Sequence, residues 1–179
     1  MSGPGRPARD AIVDFYSGGR DVSGRTLTEI LAWDDQRLEA VHDYIQWLFP
    51  TRQPSAVNAL APLVIDATVA AFDGDPALRT RLRAAFDRML VFYGLARSAS
   101  GVAIDPSRFP ARSRVWLNPG NHNHLRLTRI MDSLATLGLR EEATALQRCL
   151  VHDIAATHAD LVTPRTVGFW RRMLEVEGS

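Results

Sequence analysis

The chain reads HDYIQWLFP at residues 42–50, and the predicted fold is organised around this stretch. Together with the residues before it, the stretch predicts a helix, because apolar side chains recur at spacings of three and four. The buried face of this helix comprises Leu38, Val41, Ile45 and Leu48. Pro50 ends the helix, because the proline ring disfavours helical geometry in the residue before it. The sequence therefore predicts a helix whose aromatic end is held in the core.

A polar stripe runs beside this apolar face. His42, Gln46 and Phe49 follow one another at spacings of four and three residues, so they share one side of the predicted helix. Polar side chains next to a buried face, rather than opposite it, are candidates for a binding site. The residues of this stretch do not by themselves indicate a reaction or a ligand.

The length and composition of the chain predict one folded domain. Its 179 residues are 46% hydrophobic and 23% charged, which is ordinary for a globular protein with its own core. The net charge of +1 argues against a dedicated nucleic-acid-binding protein. Arginines at positions 79, 81, 83 and 88 are therefore interpreted as a solvated helix face, and no nucleic acid is predicted as a partner.

The single cysteine, Cys149, excludes an internal disulfide and any Cys-x-x-Cys metal or redox motif. No apolar run approaches the roughly 20 residues that a bilayer-spanning helix needs, so no transmembrane segment is predicted. Residues 1–9 are rich in Gly, Pro and Arg, and we expect them to be a flexible lead to a helical domain at residues 10–177. A cytoplasmic location is the simplest expectation.

Helical periods and cap signals predict an all-α bundle of seven or eight helices, with no convincing pair of strands. Asp75-Pro76 and Thr163-Pro164 each combine an N-cap residue with a proline in the first turn. The predicted helices occupy residues 8–17, 26–33, 34–49, 60–72, 76–96, 121–137, 140–158 and 165–176. The helix at 60–72 is so apolar that we expect it to be buried on most sides.

Residues 98–121 form the longest stretch without a helical period. The glycines and prolines that interrupt it are Gly101, Pro106, Pro110, Pro119 and Gly120. Residues 102–104 would suit a short strand, but no partner strand is evident. Because a loop of this length in a compact domain is often functional, we expect it to cover the binding site as a lid.

Two long motifs occur in a fixed order along the chain. The first is the stretch at residues 42–50, and the second reads HNHLRLTRI at residues 122–130. The shorter segments that accompany them are Phe15-Tyr16, Phe92-Tyr93-Gly94, Ser133-Leu134 and Leu137-Gly138. In this order, from about residue 14 to residue 174, they resemble the conserved domain of the opioid growth factor receptor family.

The resemblance implies a helical domain. In vertebrate members of the family it implies a receptor for the enkephalin growth-factor peptide, found at the nucleus and linked to restraint of cell proliferation. Members without the vertebrate C-terminal repeats are widespread in microbes, and this chain is similar to that type. The resemblance implies no catalytic residues.

The second motif carries a polar stripe of its own. His122, Arg126 and Arg129 lie at spacings of four and three, next to the apolar face of the predicted helix. If this helix packs against the one that contains His42 and Gln46, the polar groups of both helices converge. Two guanidinium groups there could hold a carboxylate or a phosphate through paired hydrogen bonds. The backbone amides at the start of the second helix could add further donors.

The sequence therefore predicts a cleft between these two helices that binds a small anionic ligand or a peptide. Its candidate ligand-binding residues are His42, Gln46, Trp47, His122, Arg126 and Arg129, with Tyr44 as a further lining residue. We predict no cofactor and no metal, and assign no oligomeric state. A non-enzymatic binding protein is the preferred interpretation, and an enzyme of unknown reaction that uses the same cleft is the alternative.

A second interpretation of the polar residues stays open. Glu39, Asp43 and Asp132 could neutralise the two arginines in a buried ion network that leaves no room for a ligand. Loss of a bound anion after Arg126→Ala, in a variant that still folds, would distinguish the two interpretations.

Zinc and catalysis are the remaining alternatives. Imidazoles from His42, His122 and His124 would suffice for zinc, but residues two apart on a helix diverge by about 200°. The chain has no Gly-rich phosphate loop, no Gly-x-Ser-x-Gly motif and no Cys-His pair that indicates a nucleophile.

Overall fold

A computed structural model describes residues 10–56 and 58–175 of the chain. In chain order its elements are α1 (Ala11–Tyr16), α2 (Leu27–Leu31), α3 (Asp35–Ala40), α4 (Ile45–Leu48), α5 (Asp66–Gly74), α6 (Pro76–Tyr93), β1 (Leu95–Ser98), β2 (Gly101–Ile104), α7 (Phe109–Trp116), α8 (Asn123–Thr136), α9 (Arg140–Arg148) and α10 (Pro164–Arg172). A π-helical turn, Cys149–Ile154, continues α9. The helical class is confirmed, and the predicted lead at 1–9 lies outside the described residues.

Short polar side chains begin several of these helices. Asp75 accepts a hydrogen bond from the backbone of Ala77 at 2.8 Å, and Pro76 occupies the first turn of α6. Thr163 accepts from the backbone of Thr166 at 3.2 Å at the start of α10. Both caps are as predicted, because a side-chain oxygen satisfies an amide that has no partner within the helix.

The helix predicted at residues 34–49 is two helices in the structure. α3 ends at Ala40, Val41 is extended with φ −94° and ψ 135°, and α4 begins only at Ile45. A continuous helix would pair the carbonyls of Leu38 and Val41 with amides one turn ahead. Instead the guanidinium of Arg126 donates to both carbonyls, at 3.1 and 2.9 Å. A side chain from α8 therefore replaces the backbone bonds that the sequence period predicts.

The long loop predicted at residues 98–121 is also partly regular. β1 and β2 form an antiparallel hairpin with Leu95 opposite Ile104, so the strand predicted to lack a partner has one. The first two residues of this partner strand fall within the helix predicted at 76–96, but Gly94 ends α6 in the left-handed region at φ 76°. After the hairpin, α7 follows and packs against α6, while β2 packs against α9.

The helix predicted at residues 60–72 begins only at Asp66, and much of its surface is exposed. The residues before it are extended, because Thr51 forms a parallel bridge with Leu63 and accepts from the amide of Val64 at 3.0 Å. Leu63 and Ile65 consequently face solvent. The prediction of burial on most sides is therefore wrong for this helix.

α6 is the central helix, and α1, α5 and α7 pack against it. Its buried stripe comprises Leu78, Leu82, Ala85, Phe86, Met89 and Leu90. α8 packs against α9 and buries Leu127, Ile130, Met131 and Leu134 as predicted. Among the described residues, no helix combines the length and the apolar character needed to cross a membrane.

Candidate functional site

A cleft of about 590 Å³ lies between α8 and the segment that contains α4. It is lined by His42, Ile45, Gln46, Thr51, Gln53, Ser55, Ala56, His122, Leu125, Arg126, Thr128, Arg129, Asp132 and Met173. Five of the six predicted ligand-binding residues are in this set, and Trp47 is not. Residues 98–121 contribute none of these lining residues, so the prediction that they form a lid is wrong.

Apolar side chains form a large part of the cleft surface. Ile45 projects from α4, Leu125 from the first turns of α8, and Met173 follows α10. Leu125 is 74% exposed, although the sequence analysis assigns it to the core. Leu125 lies two positions before the buried Leu127, which places them on different helix faces. This spacing is the signal that identifies Leu125 as a cleft residue.

Arg126 is held almost entirely by the protein itself. Its side chain is buried, with the residue only 5% exposed. Besides the carbonyls of Leu38 and Val41, its guanidinium contacts Asn123 Oδ1 at 3.3 Å and His42 Nδ1 at 3.1 Å. The predicted meeting of the His42 and Arg126 patches is therefore confirmed, but the donors of Arg126 serve internal acceptors.

Glu39 supplies the negative charge next to Arg126. One of its oxygens lies 3.7 Å from the Arg126 guanidinium and 3.1 Å from the Asn123 amide nitrogen, which donates to it. Its other oxygen lies 3.2 Å from Nε2 of His122. Asp43, the second predicted partner, instead pairs with Arg25 at 2.8 Å. Around Arg126 the structure thus contains an internal ion network centred on Glu39.

Arg129 ties α8 to the chain after α4. Its guanidinium donates to the Phe49 carbonyl at 3.2 Å and to Thr51 Oγ1 at 3.3 Å. Burial lowers the pKa of Arg129, and the nearby Asp132 carboxylate partly offsets that effect. Arg129 therefore fixes the chain at Phe49 and Thr51, where Thr51 lines the cleft.

Gln46, Trp47 and Tyr44 are placed mainly by the core. With its amide oriented as its neighbours require, Gln46 donates to the carbonyls of His42 and Asp43, at 3.2 and 3.0 Å. Trp47 is buried against Phe15, with ring centroids 5.5 Å apart. The Tyr44 hydroxyl donates to the Leu38 carbonyl at 3.0 Å. Trp47 and Tyr44 thus lie behind the cleft and do not line it.

The amides at the start of α8 are also engaged within the protein. Asn121 accepts from the amide of Asn123 through its side chain at 2.9 Å and from the amide of His124 through its carbonyl at 3.0 Å. These amides are therefore not donors for the anion that the sequence analysis expects there.

Two histidines meet on the cleft wall. The rings of His42 and His122 are in edge contact, with centroids 5.3 Å apart and planes at 71°. Burial lowers the pKa of His122, with Glu39 opposing this effect and the charge of Arg126 adding to it. The neutral imidazole of His122 is therefore favoured near neutral pH.

His124 lies away from this pair. Its ring packs between Trp116 and Trp170, at centroid distances of 6.3 and 5.5 Å. The three imidazoles considered for zinc are therefore not assembled. Within residues 10–56 and 58–175, no group of three His, Cys, Asp or Glu side chains has an arrangement that would hold a metal ion.

We expect the free energy of unfolding to fall as the pH is lowered from 7.5 to 5. Burial lowers the pKa of His124 and of His122 below the ordinary value near 6.5. The unfolded chain therefore binds more protons than the folded chain once the pH falls below about 6.5, and the unfolded state is favoured. Urea unfolding at several pH values, followed by circular dichroism, measures this loss.

His124→Phe is the matched variant, because a phenyl ring keeps the packing between the two tryptophans but does not titrate. Its stability is expected to fall less steeply than that of the wild type between pH 7 and pH 5. Carboxylates contribute mainly below this window, since their ordinary pKa values lie near 4. Equal slopes for the two proteins would contradict the assignment to His124.

Comparison with known proteins identifies relatives along most of the chain. The family model described as the opioid growth factor receptor conserved region matches residues 14–171. The opioid growth factor receptor of Rattus norvegicus is 37% identical over 141 residues, which is 76% of this chain and 24% of the relative. The human receptor is 36% identical over 135 residues, 73% of this chain and 20% of the relative.

A second group of relatives carries a different name. The opioid growth factor receptor-like protein 1 of Mus musculus is 32% identical over 126 residues, 67% of this chain and 26% of the relative. This chain thus spans about a quarter of the length of the curated relatives it matches. No solved structure matches the chain.

Proposed function

This chain belongs to the family of the opioid growth factor receptor conserved region, and from that premise we propose that it is a non-enzymatic domain that binds a short peptide in the cleft between α4 and α8. The observation that carries the proposal is the cleft itself, which combines apolar side chains, Leu125 exposed among them, with a few convergent polar groups. Its volume of about 590 Å³ lies within the range of small-ligand pockets, roughly 300 to 1,000 Å³.

The apolar part of the cleft supports a peptide side chain as the ligand. Leu125 is exposed on a helix whose other large apolar residues are mostly buried. Large apolar side chains grouped on a concave surface commonly mark a contact with a partner. Leu125, Ile45 and Met173 would together accept an aliphatic or aromatic peptide side chain.

The polar part of the cleft favours a peptide over a small anion. The donors of Arg126 are directed at backbone carbonyls and at the Glu39 network. Binding of a free carboxylate or phosphate by Arg126 would have to break these buried hydrogen bonds, which is costly. A peptide needs no such rearrangement, because its backbone groups suit the neutral donors and acceptors on the cleft wall.

The names of the relatives agree with a peptide ligand. They are called receptors of an opioid growth factor, and this chain corresponds to about a quarter of their length. Transfer of this activity to the present chain is part of the proposal. It makes an enkephalin peptide the natural defined probe beside a library of random peptides.

We expect Leu125→Asp to weaken peptide binding at least tenfold. Aspartate in place of leucine puts a carboxylate against the bound apolar side chain, and burial of an unpaired charge costs more than the 1.4 kcal/mol that corresponds to a factor of ten. Displayed random peptides, with the enkephalin peptide added, are selected on the wild-type domain. Titration calorimetry then measures the affinity of each selected peptide for the wild type and the variant.

Ile65→Asp is the matched control, because Ile65 is also an exposed apolar residue but does not line the cleft. Its peptide affinity is expected to equal that of the wild type. Peptides that bind the Leu125→Asp domain as tightly as the wild type, or a selection that enriches none, would refute the proposal. A chemical change in a selected peptide would instead favour the alternative of an enzyme in the same cleft.

A further inference from the structure

Arg126 determines which nitrogen of His42 carries the proton. A guanidinium only donates hydrogen bonds, and one of its nitrogens lies 3.1 Å from Nδ1 of His42. Nδ1 must therefore accept, which leaves the proton of the neutral ring on Nε2. Arg126 is buried and bonded to the carbonyls of Leu38 and Val41, so it keeps this orientation.

Glu39 determines which nitrogen of His122 carries the proton. An ionised carboxylate only accepts hydrogen bonds, and its oxygen lies 3.2 Å from Nε2 of His122. Nε2 therefore carries the proton, and Nδ1 of the neutral ring is an acceptor. The Asn123 amide donates to Glu39 at 3.1 Å and holds the carboxylate in place.

We infer that His42 and His122 act as one recognition element for a carboxamide, with the Nε2–H group of His42 donating to its oxygen and Nδ1 of His122 accepting from its N–H. The two rings are in edge contact, 5.3 Å between centroids, and both line the cleft. Both residues are also exposed to solvent, which allows a ligand to approach the pair. The inference deepens the proposed function, because the carboxamide would belong to a peptide bound in the same cleft.

The same arrangement disfavours a carboxylate at this position. A carboxylate has no hydrogen to offer to Nδ1 of His122, and the lone pair there repels it. The charge of Glu39 lies directly behind His122, and the charge of Arg126 is already paired with it. The histidine pair therefore selects a neutral group over the anionic ligand expected from the sequence.

Benzamide and benzoate form a matched pair of probes, since they have the same shape and differ in the donor and the charge. Long-range nitrogen–proton spectra of histidine-labelled protein at pH 7.5 report both the tautomers and binding. We expect His42 and His122 to be Nε2–H tautomers, and we expect benzamide to change the chemical shifts of both rings. Benzoate should bind at least tenfold more weakly than benzamide. Equal or tighter binding of benzoate, or a different tautomer of either ring, would overturn the inference.

Substitutions separate the two histidines from the rest of the cleft. His42→Phe and His122→Phe keep an aromatic ring and remove one hydrogen bond each, so both should lose the preference for benzamide. Leu125→Asp tests the apolar wall and should weaken both probes. If the domain binds selected peptides but does not prefer benzamide over benzoate, the inference is refuted and the proposed function stands. If the domain prefers benzamide over benzoate but the selection on it enriches no peptide, only the proposed function is refuted.

Discussion

Replacement of Arg126 by methionine is expected to lower the free energy of unfolding by about 3 to 5 kcal/mol, the range for breaking a buried charged network. The variant leaves the Val41 carbonyl without its donor, and the Leu38 carbonyl keeps only the bond from the Tyr44 hydroxyl. It also leaves the Glu39 carboxylate without its nearest cation. Each buried acceptor without a partner costs about 1 to 3 kcal/mol. Urea unfolding followed by tryptophan fluorescence measures the loss, which corresponds to a melting temperature lower by roughly 10 °C.

Arg148→Met is the matched control, because Arg148 is an exposed arginine on α9 and the same change there should shift stability by less than about 0.5 kcal/mol. Arg126→Lys should recover only part of the loss, since one ammonium group cannot reproduce the planar fork that serves two carbonyls. A loss below about 1 kcal/mol for Arg126→Met would show that these carbonyls do not depend on the guanidinium.

Replacement of Gly94 by alanine is expected to cost about 3 kcal/mol or more. Gly94 ends α6 with φ at 76°, a left-handed conformation that costs an L-residue roughly 1 to 2 kcal/mol. An added Cβ atom would also lie only 2.7 Å from Cα of Phe109, the first residue of α7. Backbone cannot rotate away as a flexible side chain can, so α7 must shift, and overpacking of this kind costs a further 1 to 3 kcal/mol.

Gly120→Ala separates the two contributions. Gly120 has nearly the same φ, 74°, but no atom lies within 4 Å of an added Cβ. Its loss should be limited to the conformational cost of roughly 1 to 2 kcal/mol. Urea unfolding measures both losses, and hydrogen exchange locates the change in the Gly94 variant to the hairpin and α7. Equal losses for the two variants would mean that contact with Phe109 contributes nothing.

The expected instability of the Arg126 variant bears on how the cleft is tested. Arg126 holds the chain break between α3 and α4 and also sets the orientation of His42. A loss of binding in an Arg126 variant would therefore not show that the guanidinium contacts a ligand. Leu125, His42 and His122 are better positions for binding experiments, because none of them is fully buried.

Much of the secondary structure follows from local signals. The apolar period predicts α6, α8 and α10, and an N-cap residue followed by a first-turn proline marks the starts of α6 and α10. These signals act between residues a few positions apart. The approach of His42 to Arg126 was also predicted, because each belongs to a polar stripe beside an apolar face. Apolar faces must pack together, and the adjacent polar stripes are then brought close.

The errors arise where distant contacts outweigh the local period. The stretch at residues 42–50 has a continuous helical pattern, yet Arg126 provides the donors that allow the chain to break at Val41. Trp47 is an aromatic residue of the kind that often lines a ligand site, but the chain break leaves it packed against Phe15 in the core. The sequence does not predict the β-hairpin, because each of its strands has only four residues and such short strands show almost no alternation of apolar and polar residues.

The amino-acid sequence by itself determined the helical class, most helix starts and the two polar stripes that meet, because these depend on propensity, caps and apolar spacing within single segments. Only the tertiary structure decided which polar groups are available to a ligand. Glu39 and three backbone carbonyls engage the arginines, while the two histidines remain on the cleft wall. The physical reason is that a buried guanidinium must find acceptors, and these acceptors come from segments about 80 or more residues away in the chain.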